Sequence, residues 1–150
     1  MADYVLHIPA PTVPLSKNSS PSRFRRAQIV KAWRATAFQC AQVARLPKGL
    51  ARVRIDVALR FATSRHRDEA NYHDTAKPIV DALGPEIKYW RNSRGQRTLI
   101  YAPGYGLIAN DTPQYLDGPH VTIGEVLPKN VYGPECVVTV TITDLSGEVD

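Results

Sequence analysis

The chain has few cysteines, no long apolar run and no repeated or low-complexity segment. Its two cysteines, Cys40 and Cys136, lie in apolar stretches and belong to no CxxC or Cys/His cluster, which predicts buried, reduced thiols. No apolar run reaches about 18 residues, the minimum for a membrane-spanning helix. The N-terminus has no charged segment followed by an apolar one, so no signal peptide is expected. We therefore expect a cytoplasmic protein without a membrane segment.

What the chain does contain is the composition of a soluble domain with an excess of positive charge. Its 150 residues are enough for one domain with a hydrophobic core, and 43% hydrophobic residues are ordinary for a globular protein. The formal net charge of +5 favours an acidic partner, with nucleic acid first. On charge alone, a soluble protein that happens to be basic is the better explanation.

A mixed fold follows from the periodicities along the chain. Arg52–Phe61 alternates between apolar and mostly charged side chains, which predicts a half-buried strand. The polar, turn-rich residues 92–96, flanked by Lys88–Arg91 and Arg97–Tyr101, predict a hairpin. The predicted strands are Tyr4–Ile8, Arg52–Phe61, Lys88–Arg91, Arg97–Tyr101, His120–Leu127 and Glu135–Thr143, with a frayed tail over Asp144–Asp150. We expect one α/β domain of the α+β type, with a small mixed sheet of four to six strands packed by two main helices.

The first predicted helix, Phe24–Arg45, has an apolar stripe and a basic end. Its stripe consists of residues at three- and four-residue spacing: Ile29, Trp33, Ala37, Cys40 and Ala44. Five basic residues lie in or just before its first half: Arg23, Arg25, Arg26, Lys31 and Arg34. Such a cluster is either a solvated face or a face that contacts phosphates, and we favour the second.

The stretch Arg65–Leu83 follows the alternating strand and concentrates charge of both signs. Pro78 is tolerated in the first turn of a helix, which predicts that a helix begins near Asp74 and that Asp74 caps it. Lys77 and Asp81 are four residues apart, so they share one face of this helix.

Three aspartates near this stretch suit a metal site for nuclease chemistry. Asp68 ends a strand, Asp81 lies on the helix and Asp111 lies in a loop. Carboxylate oxygens hold Mg²⁺ while waters complete its octahedron, and a nearby lysine stabilises charge on a phosphate. Each aspartate also has an ordinary interpretation: a turn residue, a helical partner of Lys77 and an Asx turn. Taken alone, the residues favour these ordinary interpretations.

The four histidines show no zinc-type spacing with another ligand. Two of them, His66 and His73, border the predicted metal site, where they either contact phosphate or are plain surface or core residues. We favour the second interpretation for both.

Three motifs in this order resemble the RusA-like family of Holliday junction resolvases, which are phage and bacterial endodeoxyribonucleases. The motifs are Arg67-Asp68-x-x-Asn71, then Lys77-x-x-x-Asp81-Ala82-Leu83, then Asn110-Asp111 before a strand. The N-terminal strand, the proline-containing loop with Asn18 and the basic helix also match the family layout. The resemblance covers most of the chain, roughly residues 3–126.

The resemblance implies a Mg²⁺-dependent nuclease that cleaves branched DNA through a metal-activated water, in recombination or repair. By resemblance Asp68, Lys77, Asp81 and Asp111 are catalytic, and the three aspartates bind Mg²⁺, with Mn²⁺ as an alternative. The DNA-contacting residues are then Lys17, Asn18, Arg23, Arg25, Arg26, Arg65, Arg67 and Asn71. The family fold is a homodimer, whose two symmetric sites cut opposing strands of a four-way junction in a bacterial or phage-infected cell.

The chain departs from the family pattern in several places. Ala70 replaces the second aspartate of the first motif, so one family ligand is missing unless Glu69 or Asp74 substitutes for it. Asn110 replaces the first acid of the later pair, and residues 84–109 form an insertion within the single 1–150 domain. These departures keep two other interpretations open: a non-catalytic dimer that binds branched DNA, and a small-molecule phosphohydrolase.

Overall fold

A computed structural model of the protein describes residues 3–86, 88–91, 93–100, 104–129 and 133–147. Within these residues the chain forms a four-stranded mixed sheet, a two-stranded hairpin and two helices. The elements are β1 (Asp3–Pro9), α1 (Arg23–Ala44), β2 (Val53–Phe61), a 3-10 turn (Glu69–Tyr72), α2 (His73–Leu83), β3 (Lys88–Arg91), β4 (Arg97–Ile100), β5 (Leu116–Ile123) and β6 (Cys136–Asp144). The predicted mixed fold of the α+β type is confirmed.

The four-stranded sheet has the order β1–β6–β2–β5. β6 runs antiparallel to both β1 and β2, whereas β5 runs parallel to β2. Residues directly opposite each other, such as Ile55 and Ile142 or Val57 and Val140, are buried together, so one face of the sheet carries the core. The helices α1 and α2 pack against each other, with α1 against β1 and α2 against β5.

The strand β2 lies inside the sheet and confirms the predicted alternation. Val53, Ile55, Val57 and Leu59 are fully buried, whereas Phe61 at the end is half-buried. Each buried aliphatic side chain contributes about 1.5–3 kcal/mol relative to exposure. This strand therefore fixes where the charged stretch that follows it leaves the sheet.

The helix α1 differs from the predicted one in its buried stripe. The stripe consists of residues spaced four apart along the helix: Ile29, Trp33, Ala37 and Ala41. The prediction was wrong for Cys40, which is half-buried, and for Ala44, which is exposed. The Trp33 indole N–H donates to the Val13 carbonyl at 3.1 Å, which fixes the buried seam on Trp33 and its neighbours four residues away.

The helix α2 starts near Asp74 as predicted, but its cap differs from the prediction. The helix begins at His73, and Asp74 does not cap it; Tyr72 occupies the capping position without a side-chain hydrogen bond. The Asp74 carboxylate instead accepts a hydrogen bond from Arg26 of α1 at 3.0 Å. The 3-10 turn leads directly into α2. Since α2 begins at His73, Pro78 is its sixth residue and lies beyond the first turn.

The last two strands of the sheet are displaced from their predicted positions. β5 starts and ends four residues before the predicted His120–Leu127, and β6 is shifted by one residue from Glu135–Thr143. Pro119 lies within β5 and is tolerated there because, within the described ranges, β5 is an edge strand whose one neighbour is β2. Gly118 has a φ of 123°, and a Cβ at this position would lie 2.6 Å from the Ile55 carbonyl oxygen. Only glycine fits there.

The hairpin forms as predicted, and β6 extends into the predicted tail. β3 pairs with β4 antiparallel, which confirms the predicted hairpin, and Tyr101 lies outside the described residues. The predicted tail was wrong at its start, since Asp144 ends β6 and the Leu145 N–H donates to the Arg52 carbonyl at 2.9 Å. Residues 148–150 lie outside the described ranges. Among the described helices, none is long and apolar enough to cross a membrane.

Both cysteines are free thiols. Burial is confirmed for Cys136, which is 1% exposed, but Cys40 is only half-buried. Burial raises the pKa of the Cys136 thiol to about 11, against a smaller opposing effect of the nearby Arg67 guanidinium.

Candidate active site

An open depression of about 290 Å³ lies between α2 and the segment 111–119. We call it the acidic depression. It is lined by His73, Asp74, Lys77, Val80, Asp81, Asp111, Leu116, Gly118 and Pro119. Three carboxylates and one ammonium group thus border one cavity, which is a suitable set for binding a cation and a phosphate.

The exposed face of α2 supplies most of the polar side chains. Lys77 and Asp81 both line the depression, as their predicted shared face requires, and His73 lies four residues before Lys77. The opposite face buries Ile79 and Leu83 completely. Packing of that apolar face therefore fixes the direction in which the polar face points.

Asp111 reaches the depression from the loop before β5. The side-chain oxygen of Asn110 accepts the Asp111 N–H at 2.8 Å, and the Thr112 carbonyl accepts the Tyr115 N–H at 2.9 Å. These bonds fold the loop into turns at the beginning of the strand. The structure thereby brings Asp111 to the same cavity as the polar face of α2.

Asp74 lies between the depression and the basic end of α1. Its carboxylate is 3.0 Å from the Arg26 guanidinium, and the two side chains are 37% and 43% exposed. A pair this exposed stabilises the fold by about 0.2–1 kcal/mol. Its larger consequence is local, because Arg26, predicted to contact DNA, already neutralises one acid of the depression.

Asp68 is placed elsewhere by the structure. Its carboxylate accepts the Ala70 N–H at 3.1 Å and so caps the 3-10 turn, which is the ordinary turn interpretation of this residue. It is not among the residues that line the acidic depression. Within the described ranges, no three His, Cys, Asp or Glu side chains are grouped closely enough to hold a metal ion. The predicted grouping of Asp68 with Asp81 and Asp111 is thus not seen there.

The side chains that do meet still fit Mg²⁺ by their chemistry. This ion takes hard oxygen ligands and is commonly bound through one or two carboxylates, with water and substrate phosphates as the other ligands. Asp81 and Asp111 supply two carboxylates from two sides of an open cavity, and Lys77 adds a positive charge beside them.

Other predicted DNA-contacting residues surround this region. Arg23 and Arg25 are exposed in the first turn of α1, where backbone N–H groups add positive potential. Lys17 and Asn18 are exposed in the proline-containing loop. The Lys17 N–H donates to the Asn71 carbonyl at 2.9 Å, which ties this loop to the 3-10 turn before α2.

Arg65 and Arg67 line a second cavity of about 440 Å³, which we call the arginine cleft. Its lining consists of Pro14, Ser16, Ser19, Phe61, Ala62, Thr63, Arg65, Arg67, Tyr72, Glu135 and Cys136. The Arg67 guanidinium carbon lies 3.8 Å from the centre of the Phe61 ring. Sequence reasoning missed this cleft because its walls come from four separate segments.

The face of the sheet that is turned away from the helices carries two charge pairs. Arg54 contacts Asp56 at 3.0 Å, and His120 Nε2 shares a hydrogen bond of 2.8 Å with Asp117. This bond to His120 holds the pKa of Asp117 below its ordinary value. His120 is thus a surface residue paired with a carboxylate.

No protein-family model and no curated protein matches the chain. The RusA-like interpretation therefore rests on the three sequence motifs and on the positions of their residues. Of the four predicted catalytic side chains, Lys77, Asp81 and Asp111 share the acidic depression, and Asp68 does not.

Proposed function

We propose that the chain is a metal-dependent endodeoxyribonuclease that cleaves branched DNA of the four-way junction type. The observation that carries this proposal is the acidic depression, where Lys77, Asp81 and Asp111 meet. Phosphodiester hydrolysis needs carboxylates that hold a cation and a fixed positive charge beside the phosphate. The depression has both, and the motif order and the net charge of +5 add support.

Asp81 and Asp111 are the residues that would hold Mg²⁺, or Mn²⁺ in its place, and the family resemblance adds Asp68. When bound, the ion supplies neutralising charge at the phosphate and a more acidic water. Lys77 lies on the exposed face of α2 and offers its ammonium group to a phosphate oxygen. The Arg26–Asp74 pair borders the same cavity and keeps the acidic side chains from accumulating unbalanced negative charge.

The exposed basic residues of α1 and of the proline-containing loop are proposed to hold the DNA backbone. Arg23, Arg25 and Lys17 are exposed, so their charges reach phosphates without rearrangement of the core. Contacts of this kind fix the position of DNA but do not read its sequence. Binding should accordingly depend strongly on salt concentration.

Two strands of a junction are cut symmetrically only if two equivalent sites face them, so the active species is proposed to be a homodimer. A chain with free thiols fits the proposed location in the cytoplasm of a bacterial or phage-infected cell.

The test is a labelled four-way junction incubated with the protein in Mg²⁺ and in EDTA. We expect paired nicks that require the metal. Asp111→Asn should lower the cleavage rate by at least roughly 100-fold, because changes outside the coordination shell alone cost about 10–100-fold. The matched control is Asp3→Asn, which makes the same charge change on β1, at the opposite edge of the sheet from β5. Cleavage by Asp111→Asn at the wild-type rate would show that the assignment is wrong.

A second candidate function is a junction-binding dimer without catalytic activity. One observation favours it: Ala70 stands where the family has a carboxylate. In the same assay this protein would shift the junction and leave it intact in both buffers. A small-molecule phosphohydrolase, the third interpretation, would show no preference for junctions.

A further inference from the structure

The arginine cleft adjoins the acidic depression at the start of α2. Tyr72 lines the cleft, and His73, the next residue of the chain, lines the depression. Consecutive Cα atoms are about 3.8 Å apart. The two cavities therefore lie against consecutive residues of the chain.

The size of the cleft and one of its walls suit a nucleobase. Its volume of about 440 Å³ lies within the range of roughly 300–1,000 Å³ that is usual for small-molecule sites. The rings of Phe61 and Tyr72 are 5.4 Å apart and tilted by 54°, and the Arg67 guanidinium lies over Phe61 at 3.8 Å. Aromatic rings and guanidinium planes are the surfaces on which proteins stack unpaired bases.

The polar part of the lining suits a phosphate and the edges of a base. Two arginines line the cleft against one carboxylate, that of the exposed Glu135. Among the described residues, neither Arg65 nor Arg67 forms an ion pair. The hydroxyl groups of Ser16 and Ser19 add donors and acceptors.

One donor in this lining has no partner. Arg67 donates through its terminal nitrogens to the carbonyl and the hydroxyl of Thr63, at 3.0 and 3.2 Å. Its Nε is buried and has no hydrogen-bond partner. A buried donor without a partner commonly marks the place of a water or ligand that completes the site.

The walls of the cleft are held in place by bonds to other elements. Ser16 and Ser19 hydrogen-bond to each other through their hydroxyls at 3.2 Å. The buried Thr75 hydroxyl of α2 donates to the Leu15 carbonyl at 2.7 Å, which anchors the loop that carries both serines. A site that is ordered before binding loses little conformational freedom when the ligand enters.

We propose that the arginine cleft holds one unpaired nucleotide of the DNA substrate, with its base against the wall of Phe61, Tyr72 and Arg67 and its phosphate toward Arg65. This inference rests on the proposed action on branched DNA, because a branch point is where a nucleotide leaves the duplex at low energetic cost. The inference names the feature of the substrate that the protein would recognise, which is an unstacked nucleotide beside the cleavage site.

The test uses the full chain in EDTA, so that binding is measured without cleavage. The probes are a four-way junction with 2-aminopurine at the branch point and a short single strand with the same base. The fluorescence of 2-aminopurine should rise when either probe binds, because the base leaves its stacked neighbours. Arg67→Lys keeps the charge but removes the planar group, and should weaken binding of the single strand about tenfold, within the range for loss of one stacked base. Its matched control is Arg45→Lys, an exposed position at the end of α1.

A second variant covers the case in which Arg67→Lys disturbs folding. Arg65 is exposed, so Arg65→Gln leaves the core unchanged. It should reduce the slope of log affinity against log salt for the single strand by about 0.7, the value for one phosphate contact. Arg45→Gln should leave this slope unchanged.

Equal binding by Arg67→Lys and Arg45→Lys, or an unchanged slope in Arg65→Gln, would overturn the inference. Binding of free deoxyadenosine monophosphate as tight as that of the single strand would overturn DNA as the source of the nucleotide. The proposed nuclease function fails separately: a fluorescence rise without Mg²⁺-dependent nicks leaves the cleft assigned and removes the catalysis. Nicks that depend on Asp111 without any fluorescence response would support the catalysis and remove the assignment of the cleft.

Discussion

At the scale of single residues, Asp74 joins two surfaces with opposite charge. Its carboxylate lines the acidic depression and also accepts a hydrogen bond from Arg26 of the basic helix at 3.0 Å. The pair is partly exposed, so water screens it and its contribution to stability is small. Its main effect is on the potential inside the depression, because Arg26 already neutralises the Asp74 carboxylate.

Removal of Arg26 should therefore strengthen cation binding. In Arg26→Gln we expect a loss of stability of about 0.2–1 kcal/mol and a several-fold tighter binding of Mn²⁺, because Asp74 becomes an unneutralised acid. Titration calorimetry without DNA measures the affinity, and urea denaturation measures the stability. Arg25→Gln makes the same change in net charge one residue away. Equal Mn²⁺ affinities in the two variants would contradict the role given to Asp74.

The Cys136 thiol predicts a dependence of stability on pH. Its pKa is raised from an ordinary value of 9.0 to about 11, so the folded protein keeps the proton at pH values where the unfolded chain loses it. This contribution is complete below about pH 9 and is lost as the pH rises toward about 11. Urea denaturation should thus show a difference between wild type and Cys136→Ala that shrinks over this range. A difference that grows with pH would refute the assignment.

At the scale of elements, the sequence predicted those whose pattern is local and missed those that depend on neighbours. The alternation of β2 and the shared face of Lys77 and Asp81 follow from the periods of a strand and a helix. The cap of α2 was misassigned because a 3-10 turn precedes the helix, and β5 was misplaced because an edge strand accepts Pro119. The pairing of Arg26 with Asp74 joins positions 48 residues apart, so no local pattern shows it.

The bond between α2 and the proline-containing loop gives a prediction at the same scale. The Thr75 side chain is completely buried, and its hydroxyl donates to the Leu15 carbonyl at 2.7 Å. Thr75→Val keeps the shape but leaves that carbonyl without its donor, so we expect a loss of about 1–3 kcal/mol in the free energy of unfolding. Thr75→Ser, which keeps the hydroxyl, should lose less. Urea denaturation of both variants decides this, and equal losses would mean that the hydrogen bond is not the cause.

At the scale of the whole molecule, acidic and basic side chains line two different cavities at the start of α2. The acidic depression has three aspartates, and the arginine cleft has two arginines. Asp68 was expected in the first cavity by resemblance, yet it caps the 3-10 turn before α2. Of the four side chains that were predicted to be catalytic, three line one cavity, and the sequence did not reveal the cleft.

The positive charge of the molecule gives a prediction about the proposed binding of DNA. If basic residues of α1, the proline-containing loop and the arginine cleft contact six or more phosphates, affinity for a four-way junction should fall by about 10³ or more between 50 and 200 mM salt. Fluorescence anisotropy across this range measures the slope. Asp3→Asn should leave the slope of log affinity against log salt unchanged. Arg23→Gln should reduce this slope by the amount that corresponds to one phosphate contact. A flat dependence on salt would exclude backbone contacts as the main source of affinity.

The strand order β1–β6–β2–β5 has a consequence for how the protein is made. β6 follows β1 and β2 in the chain and is synthesised after both, yet it inserts between them in the sheet. About 75 residues separate the end of β2 from the start of β6, which corresponds to roughly 4–15 s of synthesis at about 5–20 residues per second. During this interval the edges of β1 and β2 that later pair with β6 are open, and open strand edges favour aggregation of the nascent chain.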